Sequence, residues 1–414
     1  MAALAFAAAA AGTMLLVVRI WDTFLDPVVG VVADRTNTRW GHYRPYLLWI
    51  ALPIAVLGVA MFTTPALSPS GKLIYAYVTY SLMMMAYSFI NIPYSALMGV
   101  ITSRSDERTV VASYRFVLSF AGLFVVQLTT LRLARLLGGG DYQRGFQGVM
   151  IVFGVLAIAL FLVTFATTRE RVQPAEGAQS TLKSDLGDLL RNKPWLVISA
   201  VGVFALCYIS VRMGAIIYYF KYGVGDEHLA AWFMGTGTVG AIVGTAGAGP
   251  ISRFLGGKKR AYLILMLAAS SLTIAFYFVP ITQIALVFVC HFLISSLFAP
   301  TSPLLWSFYA DTADYSEWRT GRRATGLVFS AASFSQKLGW SVGSALSAWM
   351  LGMFGYQANV AQTADSQTGI RLLMSVVPGV LGLLSAAAIF LYTLDDAAME
   401  RIGRELEERK GGKA

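Results

Sequence analysis

Apolar residues run along this chain in blocks of about 20, the length of helix that crosses a hydrocarbon core of about 30 Å. Charges, glycine or proline bound each block. Eleven such blocks are legible, at about 5–33, 46–64, 73–102, 109–135, 145–168, 195–221, 228–252, 260–279, 283–310, 324–354 and 368–394. None alternates with a period of two, so the pattern predicts membrane-spanning helices and not a β-barrel. The longest hydrophilic stretch, 169–194, carries Pro174 and Gly177 and then Leu182, Leu186, Leu189 and Leu190 on one helical side, which predicts a surface helix in a linker. The expected domains are a bundle of five helices over 1–168, this linker over 169–194, a bundle of six helices over 195–394, and a tail over 395–414.

Composition agrees with that pattern. Of 414 residues 57% are hydrophobic and 13% charged, the latter about half the share of a soluble domain, and the mean hydropathy is +0.64. An ordinary water-soluble enzyme is excluded. Lys and Arg sort by loop: 35–44, 103–108, 169–193, 253–260, 319–323 and the tail hold 22, whereas the alternate loops hold only Lys72, Arg135, Arg144 and Lys221. The positive-inside rule then places the first set and the C-terminus in the cytoplasm and the first written residue outside, in a multi-pass protein of the cell (inner) membrane. The same sorting explains the net charge of +10 without a nucleic-acid partner. The opening Met-Ala-Ala run has no basic region and does not read as a cleaved signal peptide. Cys207 and Cys290 lie inside apolar blocks with no cysteine or histidine at metal-ligand spacing, so they read as packing residues.

The two halves echo each other. Gly30 to Arg35 with Arg39 and Arg44 parallels Gly249 to Arg253 with Lys258, Lys259 and Arg260; Pro93, Glu107 and Arg108 parallel Pro303, Glu317 and Arg319. Parallel repeats of six helices build one large class of transporters. The offset of about 210 to 220 residues gives the helix at 195–221 a partner that falls mostly before Met1. The expectation is a twelve-helix protein whose first helix is missing from the chain as written.

An ionised residue at the bilayer midplane costs about 3 kcal/mol even on a lenient scale, so deep charges mark function or tight pairing. Asp22 and Asp26 straddle the middle of the first block and share a face with Arg19. Two carboxylates one turn apart repel in a low dielectric, and a bound cation, a shared proton or a basic partner must neutralise them. Asn91 and Lys337 also fall near the midplane, Arg115 about a turn toward the cytoplasm, and Arg212 a turn or two outward; Arg132 and Arg371 lie close enough to the outer surface to snorkel. Four deep cations, Arg19, Arg115, Arg212 and Lys337, face two carboxylates. The missing anion belongs either to an absent helix or to the substrate, unless the charges only pin helices together. His291, without a charged sequence neighbour, reads as a packing residue.

Six segments then resemble, in order and over the whole chain, the glycoside, pentoside and hexuronide cation symporters of the major facilitator superfamily. They are Arg19-Ile-Trp-Asp22-Thr-Phe-Leu-Asp26-Pro27; Asp34-Arg35-Thr-Asn-Thr-Arg39-Trp-Gly41 through Arg44-Pro45; Asn91-Ile-Pro93-Tyr94; Tyr114-Arg115-Phe116; Ala310-Asp311-Thr-Ala-Asp314-Tyr315-Ser-Glu317-Trp318; and Gln336-Lys337-Leu-Gly339. The resemblance implies an all-α fold of two six-helix bundles. It assigns the coupling cation, Na+ or H+, to Asp22 and Asp26 with Ser88 and Asn91 nearby, and the sugar to Asn91, Arg115 and Lys337, with Lys337 and Arg19 linking the two. Asn91 stands where the family has a sugar-binding aspartate, and Ser95 replaces a sugar-contacting tryptophan.

Sugar rings also need aromatic faces. Among Tyr87, Tyr94, Tyr218, Tyr219, Trp306 and Trp340, we select Tyr94 and Trp306. Arg212 is the candidate for a uronate carboxylate. Asp34, Arg35, Arg39, Asp311, Asp314 and Glu317 are expected as cytoplasmic latches, closing that side by salt bridges. No cofactor is expected beyond the transported ion, and the partners are a small sugar, the cation and the bilayer around a monomer. Two alternatives stay open: a lysophospholipid or other organic-solute symporter on the same scaffold, and a truncated or inactive paralogue. The spans contain no nucleophile elbow, His and Cys cluster or metal-ligand spacing that would suggest an intramembrane enzyme.

Overall fold

The computed structural model describes residues 18, 21–22, 25–172, 182–321, 325–357 and 360–411. Among them the chain is helical throughout, apart from connections and one isolated bridge between Thr38 and Gly41. The first helix, α1, is described at 18, 21–22 and 25–35. It is followed by α2 (Arg44–Trp49), α3 (Ala51–Met61), α4 (Pro69–Ile101), α5 (Ser105–Gly138) and α6 (Tyr142–Thr167). After the linker come α7 (Leu182–Arg191), α8 (Lys193–Tyr218), α9 (Leu229–Ala246), α10 (Ala248–Phe254), α11 (Lys258–Ala275), α12 (Ile284–Phe298) and α13 (Thr301–Thr320). The chain ends with α14 (Thr325–Met353), α15 (Ala364–Met374), α16 (Val376–Ala388) and α17 (Asp396–Gly411).

Eight helices or continuous helix pairs among the described residues are long and apolar enough to cross a membrane, against eleven blocks read from the sequence. The other three have local causes. The first block lies partly outside the described residues. The second is divided at Ile50 into α2 and α3, leaving Ala51–Met61 as a shorter apolar helix. In the third, α14 carries Ser330, Ser333, Ser335, Gln336, Lys337, Ser341, Ser344 and Ser347, which lower its hydropathy without interrupting its 29 residues. The predicted linker helix is present as α7, with Leu189 buried but Leu190 57% exposed, so these two leucines do not share a buried side.

The chain forms two compact units that cut across the sequence halves. Unit 1 holds Met1–Ser103, Val125–Pro174 and Ala324–Phe334; unit 2 holds Arg104–Phe124, Ala175–Arg323 and Ser335–Ala414. Long helices make this possible. At 34 residues α5 is about 50 Å long, so its first part packs in unit 2 and the remainder in unit 1.

Within unit 2, small residues let backbones approach. A side chain at Gly240 or Gly244 of α9 would strike the α12 backbone at Phe292 or Ser296, and one at Gly339 or Gly343 of α14 would strike α8 at Val203 or Cys207. This is how apolar helices associate where lipid offers no hydrophobic drive between them. Cys207 and Cys290 are buried free thiols, and Cys207 Sγ donates to the Gly339 carbonyl at 3.0 Å.

Candidate functional site

In unit 1, α1 and α4 bring the paired carboxylates to one hydroxyl. Asp22 and Asp26 are each 1% exposed, and Ser88 Oγ stands 2.7 Å from Asp22 Oδ1 and 2.8 Å from Asp26 Oδ1. A hydroxyl carries one proton and donates to one acceptor at a time. The second close oxygen contact is therefore favourable only when a further proton, a cation or a basic side chain neutralises the pair. On the same helix Asn91 and Tyr94, both half-buried, follow Ser88 by one and two turns. Between them Pro93 removes an N–H, so the Phe89 carbonyl lacks its ordinary helical donor there. Arg19 lies outside the described residues.

In unit 2, Arg115 and Trp306 meet. The Arg115 guanidinium carbon lies 4.8 Å from the centroid of the Trp306 ring, which is 8% exposed, and 5.9 Å from that of Phe116. Such a pair sets donors for hydroxyls beside an aromatic surface. Lys337 is half-buried midway along α14.

Arg212 is buried inside unit 2 among α8, α12 and α15. Its Nη1 is 2.9 Å from Nδ1 of His291, and its Nε donates to the Met374 carbonyl at 3.3 Å. That carbonyl has a sequence-local reason to need a donor: its helical partner would be residue 378, a proline. The chain breaks there, with Ser375 at φ −134° and ψ −80° between α15 and α16. The guanidinium thus meets the negative end of a half-helix, while Nη2 has no hydrogen-bond partner among the described residues. His291 stacks on Phe233 at 3.7 Å and 9°, the packing environment expected from sequence.

At the end of the helices that carries the basic loops, two arrangements hold the residues expected as latches. In unit 2, Asp311, Asp314 and Glu317 are buried on one face of α13. Ser105 Oγ donates to Asp311 Oδ1 at 2.7 Å, Arg108 reaches the same oxygen at 3.3 Å and also pairs with Asp314, and Lys258 pairs with Asp311 Oδ2. Arg108 and Lys258 thus meet Asp311 and Asp314 in a cluster that is almost wholly buried. In unit 1, Asp34 takes the N-terminus of α14: its Oδ1 accepts from Gly326 N at 2.6 Å and its Oδ2 from Leu327 N at 2.9 Å, and the Tyr43 hydroxyl donates to Oδ1 at 2.5 Å. Arg35 and Arg39 are exposed, and Arg39 lies over the Trp40 ring at 4.5 Å.

Arg108, Lys258, Ser105 and Tyr43 have no role that can be read from the sequence. Arg108 and Lys258 stood out only as members of the internal echo and of the basic loops. Nothing in their own surroundings marks them as partners of a helix 50 to 200 residues away.

Comparison with known proteins places the chain in a family. The MFS/sugar transport protein family matches residues 3–396. The isoprimeverose transporter of Lactiplantibacillus pentosus is 33% identical over 94% of this chain and 81% of its own length. The glucuronide carrier protein homolog of Escherichia coli (strain K12) is also 33% identical, over 97% of this chain and 88% of its own. Among solved structures, the major facilitator superfamily transporter FucP in the outward conformation superposes with a TM-score of 0.66 at 12% identity, covering 93% of this chain and 90% of that one, which bears on the fold alone. A multi-pass membrane transporter and not an enzyme, the chain belongs to the MFS/sugar transport protein family and, within the major facilitator superfamily, to the glycoside, pentoside and hexuronide cation symporters.

Proposed function

We propose that this protein is a cation-coupled sugar symporter working by alternating access, with Asp22, Asp26 and Ser88 holding Na+ or H+. The observation that carries the reading is one hydroxyl set against two buried carboxylate oxygens, at 2.7 and 2.8 Å, oxygen ligands of the kind a small cation or a shared proton takes. Asn91, Arg115 and Lys337 are assigned to the sugar by the family resemblance, and Tyr94 and Trp306 as its aromatic faces. Arg19 and Lys337 are assigned to coupling, and Asp34, Arg35, Arg39, Asp311, Asp314 and Glu317 to latches on the side we take as cytoplasmic.

Coupling follows from charge. The cation relieves repulsion between Asp22 and Asp26, the sugar binds next, and the fully occupied state is neutral enough to reorient where the half-occupied one is not. Two relatives of equal identity carry names with different substrates, so homology leaves a neutral glycoside and a uronide open, and Arg212 is the residue that separates them.

The test is Asp26→Cys in membrane vesicles. Cation-stimulated uptake of the transported sugar disappears; uptake that keeps its full response to sodium and pH removes the coupling role.

A further inference from the structure

The short connection between α1 and α2 is held by a residue far along the chain. Glu170, three residues past the end of α6, accepts three consecutive backbone N–H groups with its carboxylate: His42 at 2.9 Å, Tyr43 at 2.8 Å and Arg44 at 2.9 Å. These are the open amides at the start of α2. The grip is returned by Arg44, whose Nη2 donates to the Phe165 carbonyl at 2.7 Å in the last turn of α6, with its guanidinium 4.8 Å from the Phe165 ring. Gly41 makes room for it. It lies at φ +109°, and any side chain there would run into the Glu170 carboxylate.

Tyr43, the middle residue of the three, is 3% exposed, and its hydroxyl donates to the same Asp34 that caps α14. The contacts therefore form a chain within unit 1: Glu170 to the Tyr43 amide, the Tyr43 hydroxyl to Asp34, and Asp34 to Gly326 and Leu327. We propose that Glu170 is a positioning residue for the latch at this end: it fixes the 42–44 backbone so that Tyr43 holds Asp34 on the first turn of α14, and losing it releases that turn. Since Glu170 is the second residue of the 169–194 linker, the grip also ties the linker's entry to the latch.

The inference rests on Asp34 acting as a latch, and the experiment separates the two. A reporter Thr325→Cys, at a position 1% exposed at the start of α14, is placed in a background lacking Cys207 and Cys290, and its labelling by a water-soluble maleimide is timed in nanodiscs without sugar. Glu170→Gln and Tyr43→Phe each raise the rate about tenfold, the scale of one charge-assisted hydrogen bond, and the double variant rises no further. Arg169→Gln labels like the parent. A second reporter, Ser252→Cys in unit 2, keeps its rate in every variant, which general loosening would not allow. Glu170→Asp retains the charge but retracts it, so it gives an intermediate rate and serves if the Gln variant fails to fold. Parental labelling in the Glu170 variants, or a double variant that multiplies the single effects, overturns the proposal. If Asp34→Asn alone raises labelling, the latch stands and the role of Glu170 falls; if Asp34→Asn has no effect either, the latch falls with it.

Discussion

Asp22 and Asp26 sit one turn apart and each is 1% exposed, so any change at Ser88 acts on a pair that has no water to fall back on. Removing its hydroxyl takes away one hydrogen bond to a charged group, about 1.5 kcal/mol or about tenfold in affinity. Ser88→Ala is expected to raise the cation concentration for half-maximal uptake by about that factor while leaving the maximal rate largely intact, as a cation titration of uptake reads directly. Arg212 poses a sharper question, because it both caps the Met374 carbonyl and has an unpartnered Nη2. If a uronate carboxylate meets it, Arg212→Gln depresses glucuronide uptake far more than uptake of a neutral glycoside. Equal losses for both sugars assign the arginine to the bend between α15 and α16.

At the scale of elements, the buried cluster on α13 sets Arg108 and Lys258 against Asp311 and Asp314. Breaking such a group by removing one member costs about 3 to 5 kcal/mol, since a buried charge is left uncompensated, whereas removing a cation and an anion together costs much less. Asp311→Asn is accordingly expected to lower the midpoint of thermal unfolding in detergent more than the double variant Lys258→Met, Asp311→Asn does. A double variant that is the less stable of the two would mean that Lys258 is held by contacts other than its charge. Through these side chains α5, α11 and α13 meet, and Thr109 and Ser307 add a hydroxyl contact at 3.2 Å.

For the molecule as a whole, coupling is a free energy shared between two ligands, and linkage makes it reciprocal. The sugar is expected to tighten cation binding by the same factor by which the cation tightens sugar binding. Calorimetric titrations of purified protein, in each order, measure this factor, and a factor of one in both orders means that cation and sugar sites are not coupled in binding. The long α5, which contributes to both compact units, and α14, whose first ten residues belong to unit 1 and the remainder to unit 2, are the elements through which such an equilibrium has to pass.

Much of this was legible in sequence for one reason: in lipid, periodicity, charge and backbone satisfaction are local matters. Blocks of about 20 apolar residues mark the helices, and the four-residue spacing of Asp22 and Asp26 puts them on one face before any tertiary contact is known. Family resemblance supplied Ser88. What the residues could not disclose was partnership across the chain. Asp34 reads as a loop charge, yet its acceptors meet backbone amides 292 and 293 positions later; Glu170 reads as one member of an Arg-Glu-Arg run, yet it holds amides 126 to 128 positions earlier. The sequence by itself pointed to membrane-spanning helices and to the paired carboxylates through spacing and composition, and to the family through the six segments that resemble it. The tertiary structure alone decided which charges are paired and by what. A buried ion's environment is set by whichever segments pack against it, and packing brings together residues whose separation along the chain carries no signal.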